Sequence, residues 1–247
     1  MELLNDTFVF AISFIRGFIG AILINRARKT KLTNLYALAI TIFCECIGYA
    51  FYTSILNNLF IFYLFMSVMW VPLIIFINKT FYQEKKSPFK FFLLLTSILA
   101  IVKIVALSLY QFSPIQDSNL LLLGRFSLSI ALGSTAVWLN YASYTSYSKI
   151  KSDEGVEPWI KARYLLVFFY TIAQMGIAIT WPFFPYDKSI NIAYILGALS
   201  LVIFIITQFL AWVMPAGFKK WLNRNYTPSD AKEELSEEEI MKSFKEG

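Results

Sequence analysis

Histidine is absent from the 247 residues, and the absence has force. It removes His-ligated haem, the His-rich zinc sites of membrane hydrolases, and Ser-His or Cys-His nucleophile pairs. Cysteine is almost absent as well, with only Cys44 and Cys46. Two positions apart on a helix, these point to nearly opposite sides, so they can neither bridge nor share a metal. Both read as small buried apolar residues. Charged residues make up only 15% of the chain, and the apolar runs hold one Glu and no Asp. With so few groups no acid–base pair or metal site can be assembled, so neither an enzyme nor a cofactor is expected. The opening MELLNDT carries no basic residue and no cleavage site follows it, which argues against a signal peptide and for a retained first span that starts outside. The stretch after Pro215 is too short for a catalytic domain, and no repeat is visible at domain scale.

What the chain has instead is apolar length. It is 57% hydrophobic and 18% aromatic, a membrane composition. Seven apolar runs are long enough to cross a bilayer: 8–25, 35–56, 59–78, 89–110, 119–147, 164–184 and 190–214. The net charge of +6 is explained by position and does not point to nucleic acid. Arg26, Arg28, Lys29 and Lys31 follow the first run; Lys79, Lys85, Lys86 and Lys90 follow the third. Lys149, Lys151, Lys161 and Arg163 surround the fifth connection, and Lys219, Lys220 and Arg224 follow the last run. Basic residues at every second connection predict the N-terminus outside and these loops in the cytoplasm. The fold class expected is therefore all-α, a polytopic seven-transmembrane-helix bundle in the cell membrane.

Segmentation follows from the same pattern. Residues 1–215 form the bundle, and 216–226 form an amphipathic helix on the inner surface, with Phe218, Trp221 and Leu222 as its apolar strip. Residues 227–247 form an acidic tail, flexible or briefly helical, with Ser236 and Glu239 in capping-box spacing and Lys242 and Lys245 near its end. Asn57 and Asn58 mark a turn, Pro72 predicts a kink, and Gly155 with Pro158 predicts a break before the sixth span. Pro182 and Pro185 end that span.

The runs are not uniformly apolar, and the exceptions carry the functional reading. Arg16 lies mid-span, where an unpaired charge costs at least about 3 kcal/mol. Ser13, Gly17 and Ala21 form a small-residue stripe beside it, suited to close helix approach. Glu45 stands about ten residues, roughly 15 Å, into the second span. In antiparallel neighbours the two would meet near the midplane as a buried ion pair. Lys103 and Arg125 lie at similar depths beneath the outer face, free either to point inward or to snorkel to the headgroups. Tyr63, Tyr110, Gln174 and Trp181 fall on the polar faces of their spans. An interior so lined suits a small anionic or aromatic-anionic ligand, with Arg125 as directional clamp, Lys103 as point charge, and Tyr110 or Trp181 as stacking surface. Against this stand plainer readings: Gln174 and Gln208 as links between helices, and Trp138, Trp159, Trp181 and Trp212 as anchors at the membrane interface.

Seven spans, an outward N-terminus and the exit segment WVMPAGFKKWL are similar in layout to the stand-alone or kinase-linked seven-span sensory domains of prokaryotes. Membership among retinal proteins is excluded, since no lysine lies between Lys188 and Lys219. The resemblance implies a receptor or sensor, embedded in the lipid bilayer, with a cytoplasmic signalling partner met by the inner loops and C-terminal tail. The alternative is a transporter or channel for a small anion or metabolite, using Arg16 and Glu45 as a midplane gate.

Overall fold

The computed structural model describes residues 2–53, 56, 58–82, 86–112, 117–184 and 191–226. Helix is the regular structure throughout these residues. The helices are α1 (Glu2–Thr30), α2 (Thr33–Tyr52), α3 (Leu59–Val68), α4 (Trp70–Ile77), α5 (Phe89–Phe112), α6 (Ser118–Ile150), α7 (Pro158–Thr180), α8 (Ile192–Trp212) and α9 (Ala216–Leu222). Together with the turns that extend them they supply seven helical segments long and apolar enough to cross a membrane. The tail 227–247, with Ser236, Glu239, Lys242 and Lys245, lies outside the described residues, as do Asn57, Lys85 and Pro185.

Local chemistry accounts for most helix ends. Asn58 accepts a hydrogen bond from the Ile61 amide at 3.0 Å and caps α3; Asp117 caps α6 from Asn119, and Asn191 caps α8 from Tyr194. The third span is broken at Met69. Pro72 has no N–H to offer the carbonyl of Val68, four residues back, so the ladder is interrupted where the sequence predicts a kink. A single π-helical turn, Asn78–Tyr82, completes that span. Pro158 behaves differently from the expected break. It occupies the first turn of α7, where its fixed φ suits helix initiation, so the helix begins six residues before the apolar run. Basic residues in the last turns of α1 and α6 likewise favour helix beyond the apolar core, through the macrodipole.

Consecutive helices pack side by side from α1 to α8, and α8 returns to touch α1. The surface is inverted relative to a water-soluble protein. Along α5, Phe91, Leu94, Ile98, Ile101, Val105 and Leu109 are all at least half exposed, forming one continuous apolar stripe. Phe10, Phe14 and Phe18 do the same on α1. Meanwhile Arg16, Glu45, Lys103, Arg125, Gln174 and Gln208 are buried. Apolar patches of that extent are stable only against lipid or another protein, and the lengths match a bilayer, so the chain is a multi-pass membrane protein.

Two details of packing revise the sequence reading. Ser13 and Gly17 do lie against α2: the Ser13 hydroxyl donates to the Cys46 carbonyl at 2.6 Å, and a Cβ at Gly17 would sit 3.2 Å from the Cys46 sulfur. Ala21, however, faces outward, and Gly20 takes the next contact, with Phe43. At 3.6 residues per turn a straight step of four drifts off the contact line, and a three-residue step corrects it. The four tryptophans expected at the interface, Trp138, Trp159, Trp181 and Trp212, are all buried inside the protein. Trp138 is stacked on Phe92 at 4.5 Å and donates to the Tyr82 hydroxyl at 2.9 Å, so protein atoms satisfy the indole that headgroups were expected to meet.

After α8 the chain turns sharply at Met214, a non-glycine residue held at φ 45°. Its side chain is buried with Ile150, Trp159 and Ile160 at the ends of α6 and α7, and Phe218 and Leu222 of α9 join that cluster. Two of the three residues of the expected apolar strip therefore face protein, while Trp221 is exposed.

Candidate functional site

Two buried polar groups stand out. The first is at mid-span. Arg16 is 0% exposed and its Nη1 lies 2.9 Å from a carboxylate oxygen of Glu45. The same nitrogen donates to the side-chain oxygen of Gln208, and the guanidinium lies 4.5 Å from the centre of the Phe204 ring. Helices α1, α2 and α8 are thus joined by one cation, one anion, one amide and one aromatic face. Tyr49 and Tyr170 are close enough to sense the charges of the pair. Gln208, expected to link helices, links them through the arginine. Phe204 has no polar signature and was invisible in the sequence.

The second group lies toward the opposite end of the spans from the basic loops, and Tyr63 on α3 is its centre. The Lys103 amine stands over the Tyr63 ring, 5.9 Å from its centre. The Tyr63 hydroxyl is beside the side chains of Arg125 and Trp181. Arg125 also donates to the backbone carbonyl of Phe184, the residue that ends the 3₁₀ turn Trp181–Phe183. Trp181 packs against Tyr52 at 5.8 Å, Phe62 at 5.7 Å and Phe184 at 5.0 Å between ring centres. Phe184 in turn meets Tyr194 at 5.6 Å. The result is an aromatic wall with two cationic side chains behind it and no carboxylate among the residues named.

Both cations are directed into the protein. Lys103 is 1% exposed and Arg125 7%, so neither uses the snorkelling alternative. The Lys103 nitrogen has no hydrogen-bond acceptor among the described residues. A buried ammonium facing only a π system is under-compensated, because a ring face offers about 2 kcal/mol against a desolvation cost of several.

Two other residues that the sequence placed here make contacts of a different kind. Gln174 donates to the Leu132 carbonyl at 3.3 Å, tying α7 to α6, which is the plainer reading of that residue. Tyr110 is half-buried against the apolar core. Tyr52 and Phe184 form the wall around Trp181. Tyr52 was legible as part of the polar face of the second span. Phe184 was not, because its contribution is a backbone carbonyl at a helix end.

Comparison with known proteins finds no match among family models, curated proteins or solved structures. The geometry of these two groups therefore carries the functional argument.

Proposed function

We propose that the protein is a seven-helix receptor or sensor of the cell membrane, with its N-terminus outside and its C-terminus in the cytoplasm. It binds a small anion in the outer half of the bundle and signals through the inner loops and tail. The observation that carries this reading is the Lys103 amine, fully buried with an aromatic face beside it and no acceptor among the described residues. An anion between Lys103 and the Tyr63–Arg125 pair supplies the missing charge. Arg125 offers a planar fork for a carboxylate or phosphate, and Trp181 with Tyr52 offers a stacking surface for an aromatic acid. The ligand site then draws on the third to sixth spans and on Tyr52 of the second, while the Arg16–Glu45–Gln208 junction joins the first, second and seventh. Movement of one set against the other is the expected route of signalling.

Thermal shift with carboxylates, phosphates and aromatic acids tests the site, in the wild type and in Lys103→Met, Lys103→Gln and Arg125→Lys. Lys103→Met removes an under-compensated buried charge, so the ligand-free protein should melt higher while losing its response to the anion. Arg125→Lys keeps the charge and loses the fork, so binding should weaken. A stabilising anion whose effect survives both Lys103→Gln and Arg125→Lys binds elsewhere, and no response to any anion removes the proposal. A second reading rests on the mid-span junction, which is placed where a transporter would keep a gate. Anion flux in proteoliposomes that is lost on Arg16→Met would favour that reading over signalling.

A further inference from the structure

A serine inside a helix ordinarily gives its proton to the carbonyl three or four residues back. Ser127 does so to Leu123 at 2.8 Å, and every other buried serine or threonine among the described residues but one also donates to a backbone carbonyl. The exception is Ser129 of α6, whose hydroxyl is buried and has no hydrogen-bond partner among the described residues. A buried hydroxyl left unpaired is costly, so its position calls for an occupant.

Helix register places that hydroxyl. A Cβ added at Gly124 would lie 3.0 Å from the Leu107 side chain of α5, and Trp138 stacks on Phe92 of α5 at 4.5 Å. In an antiparallel pair these contacts set Lys103 level with Leu128, within about 3 Å of Ser129 along the axis. On the other flank, Gly133 lies against Ala178, and Asn140 donates to the Thr171 hydroxyl at 2.8 Å. The same reasoning sets Ser129 level with Pro182, beside Trp181. Ser129 therefore enters the outer group one turn deeper than Arg125, at the level of Lys103 and Trp181. The Lys103 amine also has no acceptor among the described residues, so the two do not bond to each other.

We propose that Ser129 is a ligand-binding residue of the outer site and that, with Lys103, it selects a carboxylate. One carboxylate oxygen accepts from the Lys103 ammonium and the other from the Ser129 hydroxyl. The inference rests on the outer group being an anion site and names the chemistry of that anion. A carboxylate matches the pair in number, since it brings two oxygens to two donor groups. It also matches in charge, because a single negative charge answers the one ammonium. A phosphate brings up to two charges and further oxygens into the same buried space, and each added charge there carries its own desolvation cost.

The test uses the purified full chain in detergent and four probes: acetate, benzoate, inorganic phosphate, and benzamide as the neutral analogue of benzoate. At least one carboxylate should raise the melting temperature at concentrations where phosphate and benzamide do not. Ser129→Ala should weaken the apparent affinity for that carboxylate about tenfold or more, the scale of one hydrogen bond to a charged group. Without ligand the same variant should melt no lower than the wild type, because the hydroxyl it loses has no protein partner. Ser129→Cys, close in shape but a much weaker donor, should weaken binding too, and it serves where the smaller alanine packs poorly. Ser127→Ala, whose hydroxyl is already paired, should leave the response unchanged. A carboxylate response that is lost in Lys103→Gln but kept in full by both Ser129 variants would overturn the role of Ser129 while leaving the outer site standing. Phosphate binding as tightly as either carboxylate would overturn the selection. Ligand-free melting several degrees lower in both Ser129 variants would show a structural partner for the hydroxyl and overturn the assignment. No response to any of the anions would remove the outer site and this inference together.

Discussion

Removing either member of the Arg16–Glu45 pair should cost far more than its share of a double removal, and the structure says which single loss is worse. In Arg16→Met, Glu45 is left in a buried site without its cation, the 2.9 Å contact is gone, and Gln208 loses its donor. Breaking a buried ion pair from one side typically costs about 3–5 kcal/mol. In Glu45→Gln the arginine keeps Gln208 as an acceptor and the Phe204 ring at 4.5 Å, and the new amide oxygen can still accept. That loss should be smaller, about 1–3 kcal/mol, the cost of an imperfectly satisfied buried group. The double variant leaves no buried charge at the junction, so its loss should fall short of the sum by about 1–3 kcal/mol, the range for residues that share one network. Unfolding in mixed micelles of mild detergent and SDS, followed by tryptophan fluorescence, gives the four free energies of the cycle. Losses that add to within about 0.5 kcal/mol would refute the coupling, because contacts that far from interacting behave as independent sites. Glu45→Gln costing more than Arg16→Met would refute the assigned role of Gln208 and Phe204.

Gly197→Ala should destabilise by about 1–3 kcal/mol, because the added methyl would drive into the Phe184 ring and lie 2.8 Å from the Thr180 hydroxyl. The displaced Phe184 carries the carbonyl that Arg125 uses, so the response to anions should fall in the same variant, whereas Gly133→Ala, whose methyl meets only Ala178 at 3.6 Å, should be tolerated. Lys31→Gly should raise the melting temperature by a few degrees, since exposed Lys31 is held at φ 55°, a left-handed conformation that costs an L-residue about 1–2 kcal/mol. Cysteines placed by Ser118→Cys and Ser152→Cys, at opposite ends of α6, should react with an impermeant reagent from opposite sides of a sealed cell; reaction of both from one side would overturn the topology.

The sequence by itself determined the class of molecule and much of the helix plan. Apolar runs of bilayer length leave few alternatives, because in lipid a backbone must satisfy its own hydrogen bonds and helices do so locally. The Arg16–Glu45 contact was legible for a similar reason: neighbouring antiparallel spans bring equal depths together, and a mid-span charge needs a partner. The break after Val68 could be read from Pro72 alone.

What the sequence could not supply is rotation about each helix axis and the meeting of spans far apart in the chain. Gln208 reaches Arg16 only because α8 closes back on α1, a contact across 192 positions that no local pattern encodes. Tertiary packing turned Lys103 and Arg125 inward, where depth alone left snorkelling equally open, and it turned Ala21 outward in favour of Gly20. It also drew four tryptophans from the expected interface into the protein, since a large ring placed near a span end gains as much from aromatic neighbours as from headgroups. The contribution of Phe184 is a carbonyl left over at the end of a helical turn. Composition and periodicity decide which residues form a span; the direction in which each side chain finally points is decided by the neighbours that the whole chain brings to it.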